Sequence, residues 1–198
     1  MPAMGWVSAT VLALALALGT TTPAVASHGR PEVEHCISPS GIDINAAWGV
    51  SNRIVAPFCP DALVGEKLSI PNLWLVNTTF EAVPPEFVPV GATPIDDFNA
   101  KFVGVRLELD RGTRLGRTFL VTPDQLGRRT IQGFPAVDTV GAPPLRPPSP
   151  GPHTMRTVWL FNGLHCDGFG ADAFDNCFPA GETVFDDFAF TVRSRSSS

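Results

Sequence analysis

Tyrosine is absent from this chain of 198 residues while phenylalanine occurs 14 times, so the core must draw on purely apolar rings. Lysine is nearly absent too: Lys67 and Lys101 are the only lysines among 14 basic residues, and the net charge is −5. A broad cationic surface is thereby excluded, and with it nucleic acid or anionic lipid as an expected partner. Charged residues are scarce at 17% against 44% hydrophobic, a balance that describes a folded globule and excludes a disordered chain. The 20 prolines and 18 glycines leave little room for long helices and point to turn-rich β structure.

Catalytic motifs are missing as well. No serine stands in a Gly-x-Ser-x-Gly elbow, and there is no glycine-rich phosphate loop and no metal-binding histidine pair. A copper site of the cupredoxin kind needs a histidine and a methionine shortly after its cysteine, and neither residue type follows Cys166. The expectation is therefore no cofactor, no metal and no catalytic residue.

What is there begins with an uncharged run, Val11 to Leu18, followed by Ala24-Val25-Ala26 before Ser27. The small-x-small pattern predicts a signal peptide over residues 1–26, although no Lys or Arg precedes the run. The run is shorter than the roughly 20 residues that span a bilayer. Ser27 is not the cysteine a lipoprotein needs, and Arg193 to Ser198 is polar, so a secreted, extracellular product without membrane anchor is expected. The four cysteines, Cys36, Cys59, Cys166 and Cys177, all lie beyond the signal, where oxidation is the default. Of three possible pairings, the short local loops favour Cys36 with Cys59 and Cys166 with Cys177, each stabilising by about 3 kcal/mol.

Along the mature chain, residues 27–35 form a lead-in, 36–193 one β domain and 194–198 a polar tail. Ile42 to Trp48 predicts a helical turn stopped by Gly49, with a short strand at Arg53 to Ala56. Leu73 to Phe80 reads as a strand, and Thr93-Pro94-Ile95-Asp96 as a capped helix start. The clearest strand is Phe102 to Asp110, with Val103, Val105, Leu107 and Leu109 facing the core and Arg106 and Glu108 facing water. It returns through Asp110-Arg111-Gly112-Thr113 into Arg117 to Val121 as a hairpin, after which Thr122 and Gln125 cap a turn. Six prolines between Pro143 and Pro152 predict an extended crossing outside any central sheet. His153 to Asn162 and Phe185 to Arg193 complete the strands, the first with His153, Met155, Thr157, Trp159 and Phe161 on one side and Arg156, Val158 and Leu160 on the other.

Seven or so short strands without a repeat predict an all-β fold, an immunoglobulin-like two-sheet β-sandwich with short helical turns, a closed barrel being the alternative. The proline-rich approach Leu145 to Val158, through Pro150-Gly151-Pro152-His153, resembles the entry to a late strand in bacterial extracellular immunoglobulin-like domains. Gly41-Ile42-Asp43-Ile44-Asn45 and His165-Cys166-Asp167-Gly168 resemble blocks of secreted bacterial proteins without an assigned function. The resemblance implies a fold and no activity.

Four groups carry candidate chemistry. His165-Cys166-Asp167 has the composition of a nucleophilic site, but adjacent residues on an extended chain diverge and Cys166 has a disulfide partner. Asp167, Asp172, Asp175 and Asn176 gather oxygen ligands in one loop without EF-hand spacing. Asp186-Asp187 with Glu182 supplies paired acids, which glycosidic cleavage needs across a cleft. Trp48, Trp74 and Trp159 can form a platform or pack the core, and Asn77-Thr78-Thr79 fits a glycosylation sequon. The expected function is a secreted non-catalytic β-sandwich that binds an extracellular protein or carbohydrate or has a structural role. The alternative is a secreted hydrolase whose site assembles at the strand ends.

Overall fold

The computed structural model describes residues 33–146, 149–170 and 176–195. The expected signal peptide and most of the lead-in, Asp172 and Asp175, two prolines of the crossing and the end of the tail lie outside the described residues. In chain order the elements are α1 (Ile44–Trp48), β1 (Arg53–Ile54), β2 (Asp61–Leu63), β3 (Leu68–Ser69), β4 (Leu73–Leu75), α2 (Pro94–Lys101), β5 (Phe102–Leu109) and β6 (Arg117–Val121). A single 3-10 turn (Pro123–Gln125) follows, then β7 (Gly127–Ile131), β8 (Phe134–Asp138), β9 (Gly151–Phe161), β10 (His165–Cys166), β11 (Cys177–Phe178) and β12 (Gly181–Arg193). Among the described residues the fold is all-β with two short α-helices.

The largest sheet has five strands in the order β2-β12-β9-β5-β6, antiparallel except for the parallel β2–β12 pair. A second sheet runs β4-β8-β7, and two-stranded pairs join β1 to β3 and β10 to β11. The sheets are open rather than closed into a barrel. Alternation along β9 buries His153, Met155, Thr157, Trp159 and Phe161, as its period of two requires. Of these, Met155, Trp159 and Phe161 join Val105, Leu107 and Leu109 of β5, Phe190 and Val192 of β12 and Val137 of β8 in one core. Its centre is aromatic: Trp159 and Phe161 both stack on Phe178, with centroids 5.5 and 4.9 Å apart.

Local chemistry explains the helices. Asp43 caps α1 by accepting from Ala46 N at 2.9 Å, and Gly49 ends it in the left-handed region at φ 66°. Thr93 and Asp96 form a reciprocal capping box on α2, with Pro94 in the first turn. Two expectations are corrected. The pairing shifts between Phe102 and Gly104, and this bulge turns Val103 outward to 50% exposure while Val105, Leu107 and Leu109 stay buried. The strand at Leu73 ends at Leu75 rather than Phe80, because Val76 N still reaches Pro135 O but Asn77 N donates to Asp167 O and leaves the sheet.

Candidate functional site

Both disulfides form as the spacing predicts: Cys36 with Cys59 and Cys166 with Cys177. Cys166 and Cys177 are directly paired residues of the β10–β11 hairpin, so its thiol is unavailable as a nucleophile. The neighbouring His165 has partners that no local motif reveals. Its Nδ1 lies 2.8 Å from Asp97 Oδ2 of α2, and its Nε2 accepts from Trp74 Nε1 of β4 at 3.1 Å. An indole nitrogen only donates, so the ring is the neutral tautomer with its proton on Nδ1. Burial pushes the imidazole below the usual histidine range, against the pull of Asp97.

Asp97 is itself fully enclosed. Its Oδ1 lies 2.6 Å from Lys101 Nζ and accepts from Val90 N at 2.7 Å. Burial acts to raise its pKa, but the hydrogen bonds from His165 and Lys101 prevail and hold the carboxyl below its ordinary value. Lys101 also donates to Val88 O and Leu164 O at 2.8 and 2.6 Å and lies over the Phe87 ring. Each of these polar groups has a partner, and His165 and Asp97 are closed off from solvent. A second pair is sealed as firmly: His153 Nδ1 lies 2.7 Å from Asp110 Oδ2, while Nε2 faces Ser149 O at 2.9 Å. Neither pair can reach a substrate without unfolding around it.

The remaining acids are engaged separately. Glu182 is held by Arg106 through two hydrogen bonds of 2.6 and 2.7 Å, which lower its pKa and raise that of the arginine. Arg106 also donates to Glu108 at 2.8 Å, and Arg111 approaches the other Glu108 oxygen at 3.4 Å. Asp187 lies 3.9 Å from Arg156, and burial raises the Asp186 carboxyl. This row crosses the outer face of the large sheet over Val158 and Val184, around a concavity of about 230 Å³. Within the disulfide loop, Asp167 accepts from Phe169 N and from Asn176 Nδ2, and burial raises its pKa. Among the described residues no three acidic, histidine or cysteine side chains converge as a metal site.

The sequon asparagine, Asn77, is 3% exposed, its Nδ2 pointing to Gly168 O at 3.4 Å and its Oδ1 accepting from Thr78 N. A glycan cannot be attached to it in the folded state. Of the three tryptophans, Trp159 is core and Trp74 serves His165. Trp48 differs: it is half-buried at the end of α1, beside a groove of about 280 Å³ formed with residues 49–52, Gly127, Arg129, Val140 and Gly141.

Arg129 of β7 is the organising residue of that groove. Its Nε donates to Asp138 Oδ2 at 2.5 Å, and its guanidinium lies 5.2 Å from the Trp48 ring centre. Asp138 is enclosed, and its Oδ1 accepts from Val140 N at 2.9 Å. Gly127 makes the pair possible, since a Cβ there would lie 2.5 Å from Asp138 Oδ1. Sequence reasoning missed this site because the β7–β8 hairpin was not read. Its one local signal was Gln132-Gly133, a two-residue turn with positive φ at both positions. Compared with known protein families, curated proteins and solved structures, the chain matches none.

Proposed function

We propose that this protein is a secreted, non-catalytic β-sandwich domain of immunoglobulin-like type that binds a small extracellular ligand at the Trp48–Arg129 groove. The groove carries the reading: it is the place where an aromatic ring, a fixed cation and open backbone converge at the surface. The sealed His165–Asp97 and His153–Asp110 pairs and the arginine-bound Glu182 support a non-catalytic role, because acid–base work needs groups that reach the substrate. Two disulfides suit an oxidising compartment, and the pattern of residues 1–26 supports export.

Screening the disulfide-bonded protein against a panel of extracellular glycans and small organic acids, read by titration calorimetry, tests the reading. Saturable binding that Trp48→Ala abolishes without changing the melting temperature is the expected result. Binding that survives Trp48→Ala, or hydrolysis of a panel member, would overturn it.

A further inference from the structure

We infer that the groove recognises a carboxylate-bearing sugar, with Arg129 receiving the carboxylate, an inference that rests on the binding role proposed above. Three surfaces of the guanidinium have distinct fates. The Nε edge is fixed by the enclosed Asp138, and one face lies against Trp48. The outer edge, with both Nη groups, makes no hydrogen bond among the described residues, and the side chain keeps 25% of its exposure. Folding has therefore already oriented this arginine, so a ligand need not order it. The geometry matches a planar carboxylate, which accepts two parallel N–H bonds from a guanidinium.

Charge selects among anions. Arg129 and Asp138 together are neutral, and the whole chain carries −5. Such a site offers directed donors without a strong positive field, so a singly charged carboxylate suits it better than a phosphate dianion or a polyanion. The walls favour a sugar. The lining combines the half-buried Trp48 indole, an apolar surface for ring C–H groups, with Ser51 and Asn52 and with glycines at 49 and 141 that carry no side chain. Val140, an apolar lining residue, is itself only 5% exposed and adds little apolar surface to the groove. A volume of about 280 Å³ is at the small end for ligand sites and suits one ring.

The test is a nuclear magnetic resonance titration of the disulfide-bonded protein with glucuronate, glucose, acetate and inorganic phosphate, following the Trp48 indole and Arg129 guanidinium signals. Glucuronate is expected to shift both saturably and to bind at least about tenfold tighter than glucose or phosphate. Arg129→Lys keeps a cation beside Asp138 but loses the fork, and should weaken glucuronate about tenfold. Gly141→Leu alters neither Arg129 nor Asp138 and adds bulk at the groove wall, where a Cβ meets only ordinary contacts of 3.6 Å or more, so it should weaken glucuronate while the Arg129 guanidinium signal of the free protein stays in place. Equal affinity for glucose and glucuronate would overturn the carboxylate assignment while leaving groove binding intact. Failure of both sugars to move the Trp48 signal, with an empty ligand panel, would overturn the binding role as well.

Discussion

Two charged networks in this molecule use the same side-chain chemistry under opposite solvent conditions. Around His165, the partners Asp97 and Lys101 come from α2 and Trp74 from β4, and His165 and Asp97 at the centre are cut off from water. Across the outer face of the large sheet, Arg106, Glu108, Glu182 and Arg111 form hydrogen bonds or ion pairs of similar length, yet Glu182 keeps 56% of its side-chain exposure. Distance alone does not rank these interactions. An exposed pair trades one set of hydrogen bonds for another with water, whereas each buried partner depends on the others because nothing can replace them.

The comparison breaks most visibly if a sealed partner is removed. Asp97→Ala leaves Lys101 charged and the His165 N–H unpaired, and should cost about 3 to 5 kcal/mol, read as a fall in the denaturant midpoint at unchanged slope. Cys177→Ser, which unfastens the hairpin carrying His165, should cost about 2 to 5 kcal/mol by the same measurement. If either proves neutral, the enclosed network is not what holds this corner together.

Acid should distinguish the two networks next. The folded His165 binds its proton below the ordinary histidine value of 6.5, so its contribution is intact above that pH. As pH falls below 6.5 the unfolded chain takes up a proton that the folded ring refuses, and stability declines. Asp97, lowered in the fold, adds a loss of the same sign once pH drops below its ordinary 3.8, whereas the raised Asp167 and Asp186 carboxyls act in the opposite sense. His165→Gln should flatten the fall in melting temperature between pH 7 and pH 6. An unchanged slope would show that the ring is not the proton acceptor. The smallest effect belongs to the outer face: Arg106→Ala should lower the melting temperature by less than about 3 °C, and less still in high salt. A larger shift would mean that the exposed row is as cooperative as the sealed one.

The sequence disclosed what neighbouring residues decide. Thr93, Pro94 and Asp96 announced α2, the alternation from Met155 to Phe161 announced β9, and four cysteines paired as their spacing implied. Val103 was misplaced because a bulge is a property of two strands, and period counting sees one. His165 lacked a visible partner because Asp97 is 68 residues away, on a helix whose apparent purpose was its own cap. Arg129 escaped notice for the same reason: its meaning depends on Trp48, distant in sequence, and on a glycine whose missing Cβ lets Asp138 approach.

The place of β12 sets a timetable for the chain. Residues 181–193 are made last among the described strands, yet they lie between β2 and β9 inside the large sheet. Until they emerge, β5, β6 and β9 can pair, but β9 keeps one edge bare and β2 has no neighbour in this sheet. Before β12 pairs, β9 therefore presents an open strand edge to other chains. The docking of β12 brings residues 61–63 against 191–193, a long-range closure of the kind that slows folding.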